Sequence, residues 1–206
     1  MSIWAIIPVK PFAMAKSRLS SVLSPEQRQI LSMRMLTHML DELAKVPELD
    51  RRLVVSRDPK VLSLARRHKA FTVQETEPYT GLNNALVRAR LVAQTFGVHA
   101  ILVLPMDLPM MRAEHISSLL AQMHPSEPSL LLVPDRHELG TNALLSNPPD
   151  LVSFSYGPNS LQIHQQSALK KGAFVKIVYE QALQLDIDYP SDLELLYGGS
   201  LVRPLV

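Results

Sequence analysis

Asp107 stands alone between two prolines, in Pro105-Met106-Asp107-Leu108-Pro109, directly after the apolar run Ala100-Ile101-Leu102-Val103-Leu104. An unbroken apolar run reads as a strand buried on both faces, and proline ends it because it cannot donate to a ladder. That spacing places Asp107 just past the carboxyl end of a central strand, where open α/β sheets bind ligands. A second acidic pair occurs at Asp186-Ile187-Asp188, followed by Tyr189-Pro190. In an extended segment the two carboxylates point to one face, where they repel unless a cation sits between them. Asp107, Asp186 and Asp188 are therefore candidate ligands of a hard cation, and with phosphates nearby the expected ion is Mg²⁺. The plain alternatives are a helix cap for Asp107 and, for the pair, a solvated acidic turn with Asp192 or Ser191 capping the next helix.

Two further stretches suit phosphate. Lys10, Lys16, Ser17 and Arg18 lie within nine residues, directly after the first apolar run. In a doubly wound sheet the loop after the first strand is where phosphates lie; arginine offers a planar fork and lysine a point charge. The loop holds no glycine, so it is not a Walker motif, and the competing reading is solvated surface. Gly140-Thr141-Asn142 and Gly157-Pro158-Asn159-Ser160 combine glycine with hydroxyl and amide groups. Such groups suit phosphate and carboxylate oxygens, the more so at a helix N-terminus. A hairpin turn followed by an ordinary N-cap explains them equally. His164, four residues after Ser160, either faces the same pocket or is buried in a structural role. No Gly-x-Ser-x-Gly elbow and no cysteine occur, so covalent catalysis by serine or cysteine has no support.

The elements that position these residues follow from periodicity and punctuation. Strands are predicted at residues 3–8, 53–55, 70–73, 100–104, 130–133, 142–145, 174–178 and 183–187. Helices are predicted from Ser24-Pro25, from Asp58-Pro59, from Gly81 to about Thr95, over 113–122, over 159–171 and over 191–196. Ser24-Pro25-Glu26-Gln27 carries the cap, the N1 proline and the capping-box residue together. Strand–helix alternation through Leu120 indicates a doubly wound, mostly parallel sheet flanked by helices. The closer spacing after Leu130 adds an antiparallel extension in the C-terminal half. A single Rossmann-like α/β domain spanning 1–206 is expected.

Composition narrows the function. The formal charge is +2, from 21 basic and 19 acidic residues, without the basic excess of a nucleic-acid binder. No apolar run has membrane-spanning length and no secretory signal opens the chain. Together with the lack of cysteine this sets a cytoplasmic expectation. Arg66, Arg67, His68 and Lys69 end a predicted helix, where cations complement its dipole.

Taken in order, Pro8-Val9-Lys10, Ala15-Lys16-Ser17-Arg18-Leu19, Gly81-Leu82-Asn83, Pro105-Met106-Asp107-Leu108-Pro109, Gly140-Thr141-Asn142-Ala143-Leu144, Gly157-Pro158-Asn159-Ser160 and Asp186-Ile187-Asp188 form a wider pattern. It resembles the guanylyltransferase family of coenzyme F420 biosynthesis, whose members act on 2-phospho-L-lactate or phosphoenolpyruvate. The resemblance covers nearly the whole chain. It implies a nucleotidyltransferase core in which Asp107, Asp186 and Asp188 hold Mg²⁺. It further implies that Thr141, Asn142, Gly157 and Ser160 bind the three-carbon acceptor. GTP would meet Lys10, Lys16, Ser17, Arg18, Gly81 and Asn83, with Asp107, Lys16 and Arg18 catalytic. In one departure, Glu138-Leu139 stand before Gly140, where a further glycine is expected in relatives. The rival readings are a nucleotidyltransferase of the same fold acting on a molybdopterin or a sugar phosphate, and a nucleotide-binding regulatory module without catalysis. The former usually carries a glycine-rich first loop, absent here.

Overall fold

The computed structural model describes residues 1–76, 80–124 and 126–198. Residues 199–206 of the expected domain lie outside the described residues. Seven strands form one sheet in the order β3-β2-β1-β4-β6-β5-β7. They are β1 (Ile3–Pro8), β2 (Arg51–Ser56), β3 (Phe71–Gln74), β4 (Ala100–Val103), β5 (Ser129–Pro134), β6 (Thr141–Asn147) and β7 (Phe174–Ile177). Every pairing is parallel except those of β6 with β4 and β5. The reversal has a local cause: a turn over 135–140 joins β5 to β6 as a hairpin. The mostly parallel sheet with its antiparallel C-terminal addition matches the sequence expectation.

Helices cover both faces. Ile3, Ala5 and Ile7 of β1 pack toward α1 (Pro25–Leu43), α2 (Pro59–Arg67) and α4 (Ala113–Leu120), while Trp4 and Ile6 pack toward α3 (Leu82–Thr95) and α5 (Ser160–Leu169). The period-2 alternation of one strand thus feeds two cores, which is why β1 is apolar at nearly every position. Local signals fix the helix starts. Ser24 Oγ accepts from Gln27 N at 3.3 Å and Gln27 Oε1 accepts from Ser24 N at 2.8 Å. Asp58 caps α2 through Lys60 N at 2.9 Å, and its other oxygen accepts from Phe12 N at 3.0 Å. That second bond ties the loop after β1 to the start of α2.

One strand expectation fails. Residues 183–187 alternate as a strand would, yet Gln181–Gln184 form the short helix α6, and no ladder follows it. Alternation requires an edge to pair with, and β5 is already flanked by β6 and β7. The segment's bonds go elsewhere: Asn142 Nδ2 donates to the carbonyls of Leu183 and Gln184 at 3.1 and 3.0 Å. Leu183 drops into the main core and Ile187 into a smaller cluster with Leu19, Leu31, Met35, Leu193 and Leu196. That cluster joins the loop after β1, helix α1 and the last helix α7 (Pro190–Gly198). It therefore holds the Lys16–Arg18 stretch against the Asp186–Asp188 stretch.

Candidate active site

β1 has β2 on one side and β4 on the other, so the chain order reverses between β1 and β4, the position at which doubly wound sheets bind ligands. The loops leaving both strands meet there. Two short 3-10 turns, Phe12–Met14 and Ser17–Leu19, shape the first loop. Between them Lys16 takes a left-handed backbone, φ 56°. A residue other than glycine is strained there, by roughly 1–3 kcal/mol, and the strain is held by the buried neighbours Ala15 and Leu19. The turn sends Lys16 inward, leaving its side chain 3% exposed.

Lys16 Nζ donates to Asp107 Oδ2 and reaches Asp188 Oδ1 at 3.4 Å. Arg18 bonds Asp188 Oδ2 at 2.6 Å, and its guanidinium lies 5.0 Å from the Tyr189 ring centroid. Burial pulls the Lys16 ammonium toward its neutral form, but the charges of Asp107 and Asp188 outweigh it and hold its pKa above the ordinary lysine value. Asp186 moves the other way for a carboxylate. Burial raises its pKa, the Asp107 charge raises it further, and the hydrogen bond from Asn142 only partly offsets them, with Asp188 adding to the rise. The three predicted carboxylates thus share one electrostatic neighbourhood. They do not converge into a ready metal cluster among the described residues, because the Lys16 ammonium stands between Asp107 and Asp188. Asp107 Oδ1 is buried with no hydrogen-bond partner, an uncommon and costly state for a carboxylate oxygen.

The Asp186–Asp188 stretch is pinned from both sides. Ile187 N donates to Asp107 O at 3.1 Å. Asp192, 2% exposed, accepts from Asp188 N at 2.8 Å and Tyr189 N at 2.6 Å, and Arg136 Nη2 reaches its other oxygen at 2.5 Å. Asp192 thus accepts from the backbone that leads into α7, where the plain reading put a helix cap, and in doing so it also ties down the acidic turn. The Arg136 contact could not be read from sequence because it crosses 56 positions.

A cleft of about 440 Å³ opens beside these groups. Lys10, Lys16, Asp107 and Asp188 line one part of it, with Gly81, Thr80, Glu75 and Arg57 elsewhere on its wall. Glu75 and Arg57 carried no motif and went unnoticed in the sequence. Gly81 precedes α3 with φ 100°, a conformation glycine tolerates without strain. Of the residues expected to meet GTP, Ser17, Arg18 and Asn83 do not line the cleft. Ser17 is exposed at the start of its turn. The Asn83 side chain clasps the Tyr156 backbone, accepting from its N–H at 2.9 Å and donating to its carbonyl at 3.2 Å.

The expected acceptor residues occupy a second node. β6 presents Thr141 and Asn142 to opposite faces, as neighbours in a strand must be. Asn142 turns toward α6, donating to the two carbonyls named above and to Asp186 Oδ1 at 3.2 Å. It positions the carboxylate instead of standing open to a ligand. Thr141 Oγ1 lies 3.1 Å from Ser160 Oγ and 3.2 Å from His164 Nδ1. His164 is fully buried, and burial lowers its pKa to about 4. Gly157, at φ 145°, and Asn159, at φ 57°, carry the chain into α5. At Gly140 a Cβ would fall 2.6 Å from Asp135 Oδ2, so the glycine there serves close packing against its own turn. Of Glu138 and Leu139, which stand where a further glycine is expected, Glu138 has φ 58°, a conformation that glycine adopts without strain.

Residues 3–201 match the family model described as guanylyl transferase, CofC like. The chain belongs to this family of guanylyltransferases. It is 40% identical over 206 residues to a phosphoenolpyruvate guanylyltransferase of Rubrobacter xylanophilus, covering 99% of this chain and 98% of that protein. With the phosphoenolpyruvate guanylyltransferase of Sphaerobacter thermophilus it shares 37% identity over 98% of this chain and 96% of that one. A 3-phospho-D-glycerate guanylyltransferase of Colwellia psychrerythraea is 34% identical, over 93% and 89%. Among solved structures, a putative nucleotide-diphospho-sugar transferase from Desulfovibrio desulfuricans superposes with a TM-score of 0.76 at 16% identity, covering 96% of this chain and 87% of that one. A nucleotidyl transferase from Methanothermobacter does so at 0.71 and 14%, covering 95% of each. The fold is thus that of Rossmann-like nucleotidyltransferases, and the chain is an enzyme of nucleotidyl transfer. No helix among the described residues is long and apolar enough to cross a membrane.

Proposed function

We propose that this guanylyltransferase moves GMP from GTP to the phosphate of phosphoenolpyruvate, releasing pyrophosphate, as a step toward coenzyme F420. An oxygen of the acceptor's phosphate forms a bond to the α-phosphorus of GTP, while the bond from that phosphorus to the bridging oxygen breaks. The electron pair leaves with pyrophosphate. The phosphate monoester is already ionised near neutral pH, so no protein base is needed. The demand is positioning and neutralisation of converging negative charge. Lys10, Lys16 and Arg18 meet it on the triphosphate side. Gly157 and the Thr141–Ser160 pair would bind the acceptor, with Asn142 steadying the segment that carries Asp186 and Asp188.

The observation that carries this reading is the buried, unpartnered Asp107 Oδ1 beside two further carboxylates and a buried lysine. Carboxylate oxygens are the ligands a hard divalent cation takes, and Asp107, Asp186 and Asp188 would hold Mg²⁺ in place of the Lys16 ammonium that stands between two of them. When bound, the ion supplies positive charge to the triphosphate and the leaving pyrophosphate. Lys16 then remains as a cation for the phosphates.

The test is pyrophosphate release from GTP and Mg²⁺ with phosphoenolpyruvate, 2-phospho-L-lactate and 3-phospho-D-glycerate supplied separately, beside Asp107→Asn. Release with phosphoenolpyruvate that collapses in Asp107→Asn supports the reaction and the cation site. Release only with one of the other acids reassigns the acceptor. Release with none of the three, by folded protein that binds GTP, refutes the proposal and favours a sugar-phosphate or molybdopterin acceptor or a non-catalytic role.

A further inference from the structure

His164 does nothing in the reaction as described, yet it is fully buried and hydrogen-bonded through both ring nitrogens. Ser155 N lies 3.0 Å from Nε2. A backbone N–H can only donate, so Nε2 must accept and carries no proton. The ring is neutral, and its hydrogen is on Nδ1, aimed at Thr141 Oγ1 at 3.2 Å. The edge of the Tyr156 ring, with centroids 5.1 Å apart, closes another side.

A count of hydrogens follows. The node contains the Nδ1–H, the Thr141 hydroxyl hydrogen and the Ser160 hydroxyl hydrogen. It offers two acceptor oxygens for them, those of Thr141 and Ser160, 3.1 Å apart. Whichever hydroxyl donates to the other, one hydroxyl hydrogen has no acceptor within the node. Were Nδ1 bare, that hydrogen would be absorbed by the ring and the node would be self-satisfied. The Ser155 N–H forbids that arrangement. A surplus donor in a buried site needs an oxygen from outside, and the hydroxyls lie where the first helical turn of α5 begins, a place that favours anions.

We infer that His164 is a positioning residue: by its locked tautomer, which offers Thr141 a donor and no acceptor, it keeps the Thr141–Ser160 pair a net hydrogen-bond donor toward an anionic oxygen of the acceptor. The inference rests on the proposed acceptor site and adds what sets that site's polarity. His164 does not touch the acceptor and transfers no proton.

The test compares KM for phosphoenolpyruvate and KM for GTP, measured separately, in Ser160→Ala, His164→Leu, His164→Asn and the Ser160→Ala/His164→Leu double variant. His164→Leu still leaves one spare hydroxyl hydrogen but no longer fixes its direction, and is expected to raise the phosphoenolpyruvate KM several-fold, up to about tenfold, with the GTP KM unchanged. The double variant should be no worse than Ser160→Ala, since His164 acts through the hydroxyls. His164→Asn, which keeps an N–H at the δ position, should recover most of the loss. Equal losses on both substrates, or fully multiplicative losses in the double variant, would overturn the inference in favour of a packing role. If Ser160→Ala leaves the phosphoenolpyruvate KM unchanged, the acceptor site itself is misplaced and the inference falls with it. Nitrogen-15 NMR of the His164 ring in the wild-type protein decides the tautomer without turnover: a protonated Nδ1 and bare Nε2 support the inference, and a protonated Nε2 refutes it.

Discussion

Acid should destabilise this protein through one histidine. His164 is fully buried and burial lowers its pKa to about 4, against 6.5 when unfolded. Between those values the unfolded chain binds the extra proton and the folded one does not, so stability falls as pH drops from 6.5 toward 4. The linkage gives about 2 kcal/mol lost by pH 5 and about 3 kcal/mol by pH 4, relative to pH 8. Those losses correspond to roughly 4–12 °C in Tm for a chain of this size. The physical source is the desolvation of the charged ring, and the Ser155 N–H at Nε2 could not accept the new proton. The assay is urea unfolding of wild type and His164→Asn at pH 8, 6, 5 and 4. His164→Asn should start less stable and lose about 2 kcal/mol less than wild type between pH 8 and 5. Parallel pH profiles for the two proteins would refute the reasoning.

Other perturbations separate fold from function. Asp186→Asn should stabilise the cation-free protein by about 0.5–2 kcal/mol, because a buried charge repelled by Asp107 and Asp188 is removed. It should also abolish turnover, with chelator-treated unfolding and pyrophosphate release as the two measurements. Asn142→Ala should cost about 2–4 kcal/mol, since the carbonyls of Leu183 and Gln184 lose their donor; denaturant unfolding checks it. Lys16→Met should lower the Tm in chelator, by about 2 kcal/mol equivalent, as the Asp107 carboxylate loses the hydrogen-bond partner it has among the described residues. Millimolar Mg²⁺ should restore part of the loss in a thermal-shift assay. Glu138→Gly should stabilise by about 0.5–1 kcal/mol by relieving the left-handed backbone at φ 58°.

Most of what positions the site was legible in sequence because its signals are local. Unbroken apolar runs gave β1, β4 and β5. Proline after a capping side chain gave the starts of α1 and α2, and the Pro105–Pro109 bracket put Asp107 beyond the central strand. Each depends on residues within a few positions of one another, where propensity and capping chemistry operate. The strand assigned to 183–187 failed because alternation reports a pattern and not a partner; both sides of β5 were taken by β6 and β7. Asn142 by residue type and Asn83 by the family resemblance read as ligand contacts, and only packing shows that their amides hold Asp186 and the Tyr156 backbone.

Sequence alone thus determined the fold class and the identity of the charged residues, which are carried by residue type and short spacing, and its ordered motifs carried the resemblance to the family. Tertiary structure decided how those charges are paired. Lys16 lies between Asp107 and Asp188 because the Leu19 and Ile187 cluster brings together segments about 170 positions apart. The tautomer of His164 was likewise settled by a single backbone N–H nine residues away. A hydrogen bond's direction depends on what faces each atom across the fold, and residue order does not encode that except through the folded chain.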